Sequence, residues 1–99
     1  MTLSKNQLKH LRGLCHNLNP VVSLGQKGLS QAVLDELNIA LDHHELIKIK
    51  LGVDDRELRK QLITEICEQS QAEQVQVIGK TLSVFRRNPK KPVVVLPKQ

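Results

Sequence analysis

Residues 21–41, VVSLGQKGLSQAVLDELNIAL, decide the fold. Val21–Leu24 is short, apolar and partly β-branched, the signature of a buried strand. Gly25-Gln26-Lys27-Gly28 then turns the chain sharply. Ser30 has the chemistry of a helix N-cap, and Val33, Leu34, Leu37, Ala40 and Leu41 follow at helical spacing. A strand, a tight turn and a capped helix open a β-α unit. The next apolar segment completes it: Ile47, Ile49 and Leu51 alternate with Lys48 and Lys50, a strand with one buried and one wet face. Two strands joined in this way are parallel, with a right-handed crossover.

On the N-terminal side, Ser4 and Gln7 have the spacing of a capping box, and Leu3 and Leu8 that of a hydrophobic staple. Leu8, Leu11, Leu14, Cys15 and Leu18 mark the buried face of a first helix that Asn19-Pro20 ends. On the C-terminal side, Asp54 and Glu57 open a third helix carrying Leu58, Leu62, Ile63, Ile66 and Cys67. Val75 and Val77 alternate with Gln74 and Gln76, Gly79-Lys80 forms a hairpin turn, and Leu82–Arg87 returns antiparallel. The order is α-β-α-β-α-β-β. The expected fold is a single two-layer α/β domain with three helices and a four-stranded mixed sheet. It spans residues 1–97, with 88–99 a Pro/Lys-rich C-terminal segment in which Val93–Leu96 forms an edge strand or a loose tail.

The chain has 99 residues, 39% hydrophobic and 25% charged, the composition of one globular domain rather than a disordered segment. The longest apolar run is Val93–Leu96, far short of a membrane span of about 20 residues. No secretory signal is evident at the N-terminus, and Cys15 and Cys67 form no C-x-x-C pair. The expected location is the reducing cytoplasm, and the expected state a monomer.

Charge is segregated along the chain. Residues 1–34 carry +4 and no acid, residues 35–73 carry all ten acids and sum to −5, and the remainder carries +6. A domain built from such segments has one cationic side, which concentrates polyanions. Two cationic features stand out. Lys5, Lys9, Arg12 and His16 form a stripe on the first helix with no acid among them. At the loop Gly25, Gln26, Lys27 and Gly28, the amides of a helix N-terminus, the Lys27 ammonium and the Ser30 cap converge where an anion binds. Arg86, Arg87, Lys90 and Lys91 extend this patch if the fold brings them alongside. The wet strand face with Lys48, Lys50, Gln74 and Gln76 is a rival surface, and a module docking an acidic protein is a rival class.

Catalytic signals do not survive inspection. Gly79-Lys80-Thr81 imitates the end of a phosphate-binding loop, but Gln74 stands where the motif needs glycine, and a strand follows where it needs a helix. His43-His44-Glu45 reads as a helix end, and both cysteines read as buried apolar residues. No catalytic residue, metal site or cofactor is expected. Phe85 is the only residue of the Phe/Tyr/Trp set, so a stacking surface built from such rings is not available and recognition rests mainly on phosphate, sugar hydroxyls and groove shape, with histidine or arginine left to stack a base.

The run LKHLRGLCHNLNPVVSLGQKGLSQAVLDEL, then HHELIKIKL, then VQVIGKTLSVFRR, resembles the CRM domain family, most closely its stand-alone bacterial members. The resemblance runs from about Leu3 to Pro97. It implies a fold related to the C-terminal domain of translation initiation factor three, RNA binding, and association with ribosomal RNA in precursors of the large ribosomal subunit; plant relatives assist intron splicing. The family's G-x-x-G loop falls on Gly25, Gln26, Lys27 and Gly28, and its basic helix face on Lys5, Lys9, Arg12 and His16. Phe85 departs from a tyrosine expected there, which removes one hydroxyl.

Overall fold

A computed structural model describes residues 2–98; Met1 and Gln99, which the expected domain and tail include, lie outside the described residues. The elements are α1 (Lys5–Cys15), β1 (Pro20–Leu24), α2 (Gln31–His44), β2 (Leu46–Leu51), α3 (Arg56–Ser70), β3 (Glu73–Ile78) and β4 (Thr81–Phe85). Their order matches the sequence reading. The sheet runs β1-β2-β4-β3. β1 pairs parallel with β2, and β4 lies between β2 and β3, antiparallel to both. The crossover through α3 therefore leaves room for one strand, which the terminal hairpin fills.

Strand alternation gives the sheet two unlike faces. Ile47, Ile49 and Leu51 of β2, Leu82 and Val84 of β4, and Val22 and Leu24 of β1 meet Leu37 and Leu41 of α2 and Leu62 and Ile66 of α3 in the main core. On the opposite face Leu46, Phe85 and Val75 pack with Leu11 and Cys15 of α1, and Leu3, Leu18, Val94 and Leu96 lean on them. α1 and the C-terminal segment thus add a partial third layer over one end of the second face.

Local signals explain the helix starts. Ser4 and Gln7 form the full capping box, Ser30 accepts from the Val33 amide, and Asp55 accepts from Glu57 and Leu58. Of Asp54 and Asp55, both read as capping α3, Asp55 takes that place, and Asp54 pairs with Lys80 of the β3–β4 turn. α1 stops at Cys15 with His16 as its C-cap, four residues before Pro20, and Leu14 is left 39% exposed rather than buried. Gln7 takes the buried place on that face, because its side-chain amide donates to the Pro97 carbonyl at 3.1 Å.

Two further expectations are corrected. The register of β3 slips between Gln74, opposite Val84, and Gln76, opposite Ser83. Such a bulge re-aims side chains, so Gln74 and Gln76 do not share a face, and Val75 and Val77 serve opposite sides. The C-terminal segment is neither an edge strand nor loose. It carries no strand, yet Glu45 holds it from below.

Glu45 ends α2 with φ 62°, and its side chain is fully buried. Its carboxylate accepts from the amides of Asn88, Val93 and Val94 and from the Arg87 guanidinium, the last at 3.0 and 3.2 Å. Burial pushes this carboxyl's pKa up, but the Val94, Asn88 and Val93 amides and the Arg87 charge outweigh it, and the net shift is downward.

Candidate nucleic-acid interface

Beyond the end covered by α1, the second sheet face is open. Two rows cross it. Lys48, Ser83 and Gln76 are opposite one another on β2, β4 and β3; Ser23, Lys50, Thr81 and Ile78 form the next row across all four strands. Neighbours within a row are about 4.8 Å apart along the hydrogen-bonding direction. Lys48, Gln76, Ile78, Thr81 and Ser83 enclose a shallow trough of about 130 Å³.

At one border of this floor lies α1. Lys5, Lys9 and His16 are exposed, and none makes a hydrogen bond or ion pair among the described residues. Arg12 is also exposed but is tethered, its Nε donating to the Val75 carbonyl at 3.1 Å. No acid occupies the first turn of α1. Lys5 therefore opposes the positive end of the helix dipole, an arrangement that disfavours the isolated helix by about 0.3–1 kcal/mol and that an anion beside it reverses.

At the other border, past the Leu24–Leu51 pair, lies the loop Gly25–Gly28. The Gly28 amide donates to the Gly25 carbonyl at 3.1 Å, closing the turn. Gly28 has φ +76° and a Cβ there would meet Leu62 at 3.4 Å, so glycine is needed for the fold. Gly25 has no positive φ, and a Cβ there would meet nothing within 4 Å, so the turn does not require glycine at that end. Gln26 and Lys27 are exposed. The Ser30 hydroxyl is engaged by the Val33 amide at 3.2 Å, which leaves it as a cap. The structure therefore does not bring the α1 stripe and the loop together directly. They lie at opposite ends of β2, about 16 Å apart along the strand, with Lys48 and Lys50 between them.

Arg86 and Arg87, expected to extend the cationic patch, are committed elsewhere. Arg86 donates to the Asn38 side chain and the Ser70 carbonyl at 2.8 Å and pairs with Asp42 at 2.9 Å. Arg87 pairs with Glu45 and lies over the Phe85 ring, 5.4 Å from its centroid. Phe85 is fully buried beneath α1, so the ring that replaces an expected tyrosine is a core residue.

Acids lie mainly on the helical layer: Asp35, Glu36 and Asp42 on α2, and Glu57, Glu65 and Glu68 on α3, are all exposed. The charge blocks of the sequence become two sides of the domain. For the thiols, Cys15 is buried, and burial followed by Glu73 and Glu68 pushes Cys67 up, away from nucleophilic reactivity. Among the described residues no group of three or more His, Cys, Asp or Glu side chains is placed to hold a metal ion, and no helix is long and apolar enough to cross a membrane.

An α/β domain with one open, cationic sheet face is the class these features define. The CRS1/YhbY (CRM) domain family model matches residues 3–86, and the chain belongs to that family. A Haemophilus influenzae protein named as an RNA-binding protein is 49% identical over 85 residues, 86% of each chain. A Pseudomonas aeruginosa relative, whose name marks RNA binding as its expected activity, is 44% identical over 90 residues, 91% of this chain and 86% of that one. Among solved structures, a hypothetical Staphylococcus aureus protein described as an RNA-binding candidate superposes with a TM-score of 0.83 at 28% identity, over 97% of this chain and all of that one.

Proposed function

We propose that this protein binds RNA without altering it, through the phosphate backbone, and that its RNA is that of precursor large ribosomal subunits. Residues 1–97 act as one binding domain. The observation that carries the reading is a set of cations with no acidic partner among the described residues, Lys5, Lys9, Lys48, Lys50 and Lys27, on α1, the open sheet face and the loop. A helix face or strand face rich in lysine gains from acids at pairing distance; these faces carry none among the described residues, which suits them to a polyanion. The names of the relatives support RNA as that polyanion, and the family resemblance supports the ribosomal precursor. The loop amides, framed by Gly25 and Gly28, add donors to a phosphate beside Lys27. Among the cations, Arg86 and Arg87 are replaced by Lys48 and Lys50.

The test is a charge reversal at two distant points. Lys9→Glu with Lys27→Glu is cleaner than a change at Arg12, whose loss also breaks the Val75 tether. The folded double variant is expected to lose affinity for protein-free ribosomal RNA and to leave the precursor-particle fractions of a sedimentation gradient. Normal co-sedimentation by a folded variant refutes the reading. Failure of the unaltered protein to bind protein-free RNA, while it still binds the particles, assigns the cationic side to an acidic protein instead.

A further inference from the structure

Ser83 has no evident reason in the fold. It sits at the centre of β4 with 2% of its surface exposed, between Lys48 and Gln76. Its hydroxyl makes no hydrogen bond among the described residues, yet it is not sealed off: no buried side-chain oxygen is left without a partner, so the small exposed area reaches the trough. Gln76 on one side and Thr81 two positions along β4 also make no side-chain hydrogen bond. Three groups that both donate and accept thus surround one depression, and the Lys48 ammonium stands in the same row.

The pattern discriminates among ligands. A bare phosphate only accepts, and would be served by lysines alone. A base edge also donates and accepts, but it lies farther from the backbone phosphate that Lys48 would meet than a 2′-hydroxyl does. A sugar hydroxyl donates and accepts, and in RNA the 2′-hydroxyl lies next to a backbone phosphate. We infer that the Lys48–Ser83–Gln76 row, with Thr81, is a ribose site that recognises an RNA 2′-hydroxyl while Lys48 neutralises the adjoining phosphate. This rests on the RNA-binding reading above and adds to it the means of telling RNA from DNA. Ile78, 61% exposed at the rim of the trough, supplies the apolar contact for the sugar carbons.

The experiment compares an RNA hairpin with the same sequence carrying 2′-fluoro sugars throughout. Fluorine keeps the A-form pucker but removes the donor, so shape and hydroxyl recognition separate. The unaltered protein is expected to prefer the all-ribose hairpin by about three- to tenfold, the worth of one or two hydrogen bonds. Ser83→Ala and Thr81→Val, which take no hydrogen bond from the fold, should bring that ratio close to one and leave the salt dependence unchanged. Lys48→Gln should weaken both hairpins equally and keep the ratio. Equal binding of the two hairpins by the unaltered protein, a ratio that survives both hydroxyl deletions, or undiminished affinity in Lys48→Gln each overturns the ribose site alone. Binding of neither hairpin overturns the RNA-binding reading and the ribose site with it.

Discussion

Removing the Glu45 carboxylate should detach the C-terminal segment. In Glu45→Ala the amides of Asn88, Val93 and Val94 lose their acceptor, and Arg87, whose side chain is 24% exposed, loses its ion-pair partner. Breaking a buried ion pair by truncating one member costs about 3–5 kcal/mol if the surroundings stay in place. The chain has a way to lower that cost: the segment can lift off and hydrate its amides. The loss is then the packing of Val94 and Leu96 on the α1 cluster, both partly buried, for which half of the usual 1.5–3 kcal/mol per side chain gives about 1.5–3 kcal/mol in total. The cheaper route governs, so the expected destabilisation is about 1.5–3 kcal/mol, a large share of the roughly 5–15 kcal/mol a small domain has. In urea, with a slope of about 1–1.5 kcal/mol/M, the midpoint should fall by roughly 2 M. Hydrogen exchange at Val93 and Val94 should accelerate in the same variant even without denaturant. A midpoint moved by less than about 0.5 M, with those amides still protected, refutes the argument.

Other consequences follow from single contacts. Because the folded state holds the Glu45 pKa below the ordinary glutamate value near 4.5, its contribution is complete above that value and fades as pH falls through the lower folded one; stability of the unaltered protein should decline over that acid range more steeply than that of Glu45→Gln, as read from acid-dependent urea midpoints. Gly28→Ala places a side chain at φ +76° beside Leu62 and should lower stability by about 1–2 kcal/mol, whereas Gly25→Ala should leave it unchanged; thermal denaturation separates them. Gly13 lies inside α1 with open space around its Cβ direction, so Gly13→Ala should stabilise the fold by about 0.5–1 kcal/mol, and a fall in RNA affinity despite that gain would place the α1 backbone against the ligand. If about five phosphates are engaged, the logarithm of the binding constant should fall against that of salt with a slope of about −3 to −5, and a flat plot would exclude backbone binding.

What the sequence made legible depended on whether the signal was local. The capping box at Ser4 and Gln7 and the alternation in Leu46–Leu51 are properties of neighbouring residues, and each formed as read. The two-sided charge was also legible, since whole helices carry the acids. The bulge at Val75 was not, because it arises from pairing with β4 rather than from any preference of Gln74-Val75-Gln76. The fates of Arg86 and Arg87 were hidden for the same reason: their partners, Asp42 and Glu45, are more than forty positions away. Glu45 left a faint trace, an acid set directly before the apolar strand Leu46–Leu51, a place where a carboxylate stays only if something satisfies it.

The placement of charge also fixes how the domain meets a polyanion. The helical layer presents exposed acids on α2 and α3, and α1, the open sheet face and the loop present cations without acidic partners. As the two approach, the first is repelled and the second attracted, so orientation is set before any contact forms. On the proposed reading, contact falls on a face whose floor is made of lysine, serine, threonine and glutamine, with the one Phe/Tyr/Trp ring sealed under α1. No Phe, Tyr or Trp ring is exposed there to stack on a base. If the phosphate and ribose proposals both hold, such a surface gains affinity from phosphates and discrimination from sugars, and it tolerates variation in base sequence as long as the backbone keeps its path. Sequence-independent binding and strong RNA-over-DNA preference should therefore occur together in this protein, and a tight preference for one base sequence in an otherwise unstructured strand would contradict both.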